Sequence, residues 1–174
     1  MQDFVHLHVH TQYSILDGQA AVPKLVDKAI RDGMRGMAVT DHGNMMGIKE
    51  FYNYVNKVTG KAKGVVKNTE AKLASLQDGS YAPKLDKDGK NPDEGKSVEE
   101  LIAECEATLK KQRPIANFKP IFGCEMYVAR RGDKSLKSER VDQSGWHLIV
   151  LAKNEHGYHN LVKLVSRAWV DGFY

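Results

Sequence analysis

The chain has 174 residues, enough for one sizeable domain and too few for two. Hydrophobic residues make up 41% and charged residues 28%, a balance that excludes wholesale disorder, and no apolar run approaches the length of a membrane span. The net charge of +4 is compatible with a nucleic-acid partner without requiring one.

The N-terminus opens with strand-like sequence and has neither a basic n-region nor an apolar h-region, so no secretory signal is expected. Residues 4–10, FVHLHVH, predict a first strand. Its alternation places Val5, Leu7 and Val9 on one face and His6, His8 and His10 on the other. AVPKLVDKAIRDG predicts a helix, with Val22, Leu25, Val26, Ala29 and Ile30 at helical spacing, Pro23 in the first turn and Gly33 at the end. Gly36 to Val39 reads as a short buried strand that stops at a turn, and IKEFYNYVNKV as the next helix. Strands alternating with helices predict parallel βα units.

From Gly60 to about Phe118 this pattern breaks. SLQDGSYAPKLDKDGKNPDEGKS is polar and rich in Gly, Pro and Asp, the composition of an exposed, partly disordered arm. Within it DKDGKNPDE fails as a calcium loop, because Gly89 stands at the fourth loop position and the turn needs glycine at the sixth. SVEELIAECEATLKKQ predicts a helix with a Ser97–Glu100 capping box. The whole segment 60–118 is expected to be an insertion. KPIFGCEMYVA resumes as a strand, followed by the basic loop RRGDKSLKSERVDQSG. WHLIVLAKN forms another strand, and a final helix is capped by Asn154.

Several chemistry-bearing residues fall where βα architecture exposes side chains. TDHG places Asp41 and His42 just past the end of a buried strand, Glu125 interrupts an apolar strand, and His147 opens one. Each has a plain alternative. The HxH pattern is often structural, Glu125 could pair with a basic group, Asp17 in LDG could shape a turn, and His42 could cap a helix. Converging histidines and carboxylates are a ligand set for divalent metals, with imidazole favouring Zn, Mn or Fe over Ca or Mg. Of the two cysteines, which suit a reducing, cytoplasmic setting, Cys124 reads as a buried thiol facing away from Glu125.

HLHVHTQYSILDG, GMAVTDHGNMMGIKEFY, PIFGCEMYVA and HLIVLAKNEHGYHNLVKLVSRAWVDGFY, in this order, resemble the PHP (polymerase and histidinol phosphatase) domains of bacterial replicative DNA polymerase III alpha subunits. The resemblance spans about residues 4–58 and 119–174. It implies an α/β fold, a distorted (β/α)7 barrel with up to three divalent metal ions at the C-terminal strand ends, zinc first and manganese or iron as alternatives. The matching ligand positions are His8, His10, Asp17, His42, Glu125 and His147, with Glu125, Asp17 and His42 at the reacting centre. His6 falls where many PHP proteins carry Asp, which suits it, like Asp41, to orienting a ligand imidazole rather than binding metal. His156 and His159 match no ligand position and are expected at the surface.

Two departures from the pattern matter. The family runs directly from helix to strand where this chain carries the 60–118 segment. The remaining family ligands, a Cys or His and then an Asp and a His, would lie beyond Tyr174. A fragment holding part of the barrel is therefore expected, with unpaired strand edges that invite dimerisation.

In the intact protein the resemblance implies DNA replication, with 3′→5′ exonucleolytic proofreading at the metal site. Its partners would be the 3′ end of a primer strand and other replicase subunits, with no membrane. RRGDKSLKSER would either meet the DNA backbone or remain a solvated loop. The alternatives are a non-catalytic module that docks other subunits, and a small-molecule phosphoester hydrolase of the histidinol-phosphatase type.

Overall fold

A computed structural model describes residues 4–172, so Phe173 and Tyr174, at the end of the predicted last helix, lie outside the described residues. The chain forms two compact units, Met1–Asn56 with Phe118–Tyr174, and Lys57–Asn117.

The first unit is built on a three-stranded sheet in the order β1 (Gly36–Val39), β2 (Lys119–Val128), β3 (Trp146–Leu151). β1 and β2 are parallel, with Val39 opposite Phe122. β2 and β3 are antiparallel, with Tyr127 opposite His147. The parallel βα pairing expected from the alternation of elements holds for β1–β2 and not for β2–β3. No helix intervenes between β2 and β3, only a loop with one short 3₁₀ turn, and a connection without a crossover returns the chain antiparallel.

The N-terminal segment also departs from expectation. Residues 4–10 run beside β1 but form no regular strand. Ala38 N–H donates to His6 O and Thr40 N–H to Val9 O, so two residues of β1 are matched by three of the segment. The extra residue breaks the strict alternation of faces, as a bulge does, and Leu7, expected inside, is half exposed.

Helix α1 (Val22–Arg31) starts with Pro23 in its first turn and buries Val22, Val26 and Ala29. These pack with Met37 and Val39 of β1, with Phe118, and with Ile48, Phe51 and Val55 at the start of α2 (Ile48–Gln77). Burying a side chain such as Phe51 removes roughly 1.5–3 kcal/mol of apolar exposure from water. Helix α4 (Glu155–Asp171) begins with Asn154, whose side chain accepts from Gly157 N–H as its sequence position predicts.

α2 does not stop before Gly60 but continues to Gln77, so residues 60–77 are helical rather than irregular. An interior glycine costs about 1 kcal/mol against alanine, and the packing of later residues offsets that cost. Within the second unit Leu73 and Leu76 of α2 pack with Leu101, Ile102 and Cys105 of α3 (Val98–Ala116). α3 carries the predicted Ser97–Glu100 capping box. Only 78–97 is irregular, and Asp93 ties it down. The Asp93 carboxylate accepts from Lys72 Nζ at 2.7 Å and from the Tyr81 hydroxyl. In the former calcium-loop candidate, Asp86 instead accepts the backbone N–H groups of Asp88 and Lys90.

The Lys72 hydrogen bond, and then that of Tyr81, hold the Asp93 carboxyl below the usual Asp range. A depressed folded-state pKa contributes stability that is full above the ordinary carboxylate value and lost as pH falls through the depressed one. Asp93→Asn should therefore reduce amide protection over residues 80–97 at neutral pH and flatten its loss below about pH 4. Hydrogen exchange followed by mass spectrometry checks this; equal protection in both proteins at pH 7 would contradict it.

Candidate metal centre

The parallel register of β1 and β2 continues past Val39. Glu125 N–H donates to Asp41 O, Gly43 N–H donates to Glu125 O, and His42 lies beside Glu125 in an isolated parallel bridge. The antiparallel register then sets His147 one diagonal step from Glu125, and its Nδ1 lies 2.8 Å from Glu125 Oε1. From the N-terminal segment, His10 Nε2 approaches Glu125 Oε2 at 2.9 Å and His8 Nε2 approaches Oε1 at 3.8 Å. The Asp17 carboxylate closes the group, with Oδ2 2.6 Å from His42 Nδ1 and 3.8 Å from His10 Nδ1. All six residues that the sequence nominates as ligands come together here.

They form two overlapping sets, His8–His10–Glu125 and His10–Asp17–His42, whose donor atoms within each set lie within 4.8 Å of one another. His147 joins through Glu125. The loop that carries Asp17 is held from below. Asp41, fully buried, accepts from Thr11 N–H at 2.6 Å, from the Thr11 hydroxyl and from Ser14 Oγ at 2.7 Å. Ser14 Oγ in turn accepts from His42 N–H. Gly18 follows Asp17 because its Cα lies against the Thr11 carbonyl, where a Cβ would meet the oxygen at 1.9 Å.

Neither residue expected to orient a ligand imidazole is hydrogen-bonded to one here. Asp41 orients the loop 11–14 through hydroxyls and a backbone N–H, and none of its hydrogen bonds reaches an imidazole. His6 is exposed and lies edge-on to Phe4, with ring centroids 4.7 Å apart, because the extra residue in its segment turns it away from the group. Two residues that sequence reasoning missed do touch ligand candidates. Thr40 Oγ1 lies 2.8 Å from His8 Nδ1, and the Tyr127 hydroxyl bonds His42 Nε2. Tyr127 had a signal, since it stands two residues after Glu125 on the same strand face. Thr40, the first residue of TDHG, had none of its own.

Glu125 is only 5% exposed. Burial alone would raise its carboxyl. The His147 hydrogen bond and the charges of His10, His147 and His42 outweigh burial and bring it below the usual Glu range. Cys124 is wholly buried, and desolvation, then Asp41 and Glu125, push its thiol up to about 12, as befits a packed thiol. His156 and His159 are exposed on α4.

Among the described residues, three buried polar side-chain atoms lack a hydrogen-bond partner: His10 Nε2, His42 Nδ1 and Glu125 Oε2. They face one another at the middle of the group. Unpaired buried polar atoms are costly, and nitrogen and carboxylate donors converging without hydrogen bonds fit a divalent cation.

The PHP domain profile matches residues 6–174, nearly the whole sequence. The chain belongs to the PHP domain family. Its PHP domain is 32% identical over 171 residues to the DNA polymerase III alpha subunit of Borreliella burgdorferi, 31% to that of Treponema pallidum and 32% to that of Chlamydia muridarum. These matches cover 98% of the chain and 10%, 10% and 9% of the respective relatives, so the chain spans about a tenth of their length. PHP domains are typically metal-dependent, in keeping with the donor groups here. Among the described residues no helix is long and apolar enough to cross a membrane.

Asp41→Asn removes the charge that its donors share and should cost about 2–3 kcal/mol of stability. Urea denaturation checks the magnitude, and hydrogen exchange checks the place: the Ser14, Asp17 and Gly18 amides, bonded within the loop, should exchange faster. Unchanged exchange there would contradict the anchoring role.

Proposed function

We propose that this chain is the metal-dependent phosphodiesterase region of a replicative DNA polymerase subunit, removing nucleotides from the 3′ end of a primer strand. The observation that carries this reading is the trio of partnerless buried atoms on His10, His42 and Glu125, set among three further donors from Asp17, His8 and His147. The three-stranded sheet and its flanking N-terminal segment would belong to a (β/α)7 barrel, with residues 60–118 an insertion into it. DNA and other replicase subunits would be the partners, in line with the polymerase alpha subunits that the chain is similar to.

His8, His10, Asp17, His42, Glu125 and His147 would hold the metal, whose chemistry is Lewis acidity: it acidifies a water and offsets phosphate charge. Zinc suits the imidazole-rich set best, with manganese or iron as alternatives. Glu125, facing four imidazoles from its buried position, orients them toward a common point. Asp17, exposed at the rim, and His42 beside it stand closest to where a phosphodiester would enter. Thr40 and the Asp41-anchored loop keep His8 and Asp17 in place.

The basic loop plays a smaller part than its sequence suggests. Arg131 is held by Asp142 and Glu139, and Lys134 by Asp171, so much of its charge is already paired. Arg130 lies over the Trp146 ring, 4.4 Å from its centroid.

The test is release of the terminal nucleotide from a 3′-mismatched primer with Zn or Mn supplied, in the natural polypeptide that carries these residues. His8→Ala with His10→Ala should lower the rate by more than ~100-fold, beyond the roughly 10–100-fold that losing a ligand's hydrogen-bond partner costs. An equal rate in the double variant would overturn the reading. Bound metal without hydrolysis would favour a docking module, and a preference for small phosphomonoesters would favour a histidinol-phosphatase type of hydrolase.

A further inference from the structure

Tyr127 sits at the rim of the metal centre, half exposed, and touches two of the candidate ligands without being one. Its hydroxyl hydrogen-bonds His42 Nε2, and its ring lies edge-on to His147 with centroids 4.6 Å apart. The other nitrogen of His42 behaves differently. Nδ1 lies 2.6 Å from Asp17 Oδ2 and 3.2 Å from Glu125 Oε2, yet it is buried and makes no hydrogen bond to either. The atom is close to both carboxylates but not aligned to donate to them.

A neutral imidazole carries one N–H, on either nitrogen. If Nδ1 held it, a donor would lie buried beside two acceptors without bonding them. If Nε2 holds it, that N–H finds the Tyr127 oxygen, and the Nδ1 lone pair faces the carboxylates. The second arrangement satisfies the donor and leaves three acceptor atoms converging. We propose that Tyr127 is a positioning residue: its hydroxyl accepts from His42 Nε2–H and so presents the Nδ1 lone pair to a divalent cation shared with His10 and Asp17. This rests on the metal-centre reading above. Partners of a ligand imidazole's second nitrogen fix its tautomer and ring orientation, and their loss typically weakens metal affinity about 10–100-fold.

Tyr127 suits the task on a further ground. Its backbone is fixed on β2 opposite His147, which sets the hydroxyl's reach independently of the Asp17 loop.

Tyr127→Phe removes the hydroxyl while keeping the ring against His42 and His147. Zinc affinity, measured on the chain by chelator competition, should fall about 10–100-fold with the thermal midpoint of the metal-free protein unchanged. Equal affinity in both proteins would overturn the proposal. Long-range ¹H–¹⁵N spectra of the unsubstituted, metal-free chain provide a second arm. They should show His42 protonated at Nε2, with that preference lost in Tyr127→Phe; protonation at Nδ1 would overturn the proposal whatever the variant does. Wild-type protein that binds no zinc but shows the Nε2–H form would sink the metal-centre reading while upholding the hydrogen bond that positions His42.

Discussion

A carboxylate almost out of contact with water lies among four imidazoles. Glu125 is reached by His8 and His10 from the N-terminal segment, by His42 after β1 and by His147 of β3. Burying that charge is unfavourable unless something compensates it. With Asp17 alongside, the group concentrates donors at separations as short as 2.6 Å. A divalent cation resolves this arrangement more completely than any contact available within the group.

The backbone around Glu125 is organised to hold it there. The parallel β1–β2 register carries past the end of β1 to seat His42, and the antiparallel β2–β3 register returns His147 from the other side. β2 is therefore the spine of the site, with a parallel neighbour delivering one ligand candidate and an antiparallel neighbour another. Among the described residues, the N-terminal segment that supplies His8 and His10 is held by backbone bonds from Ala38 and Thr40 and by side-chain contacts such as Thr40 to His8. Asp41 spends its charge on the loop that presents Asp17. Two adjacent residues of TDHG thus serve different tasks, His42 among the candidate metal ligands and Asp41 beneath them.

Much of this was legible in the sequence, for identifiable reasons. His8, His10, Asp17, His42, Glu125 and His147 were readable as a set because four ordered blocks of the sequence resemble PHP domains, and their positions carry over one by one. The helix caps at Ser97 and Asn154 were readable because capping is local chemistry. What failed depended on longer range. The three-for-two slip beside β1, which expels His6, depends on pairing that no local pattern records. The predicted second helix, IKEFYNYVNKV, stops short of Gly60, yet α2 runs on to Gln77. The partners of His8 and His42, Thr40 and Tyr127, are ordinary strand residues whose roles exist only once the registers are set.

The most direct test of the metal centre is X-ray absorption at the zinc edge on the zinc-loaded chain, paired with its anomalous scattering. The expected result is a nitrogen and oxygen shell at about 2.0–2.1 Å, with the scattering peak between His10 Nε2, His42 Nδ1 and Glu125 Oε2. A sulfur shell at about 2.3 Å would instead implicate Cys124 or Cys105. That shell, or a peak away from the three buried atoms, would contradict the assignment.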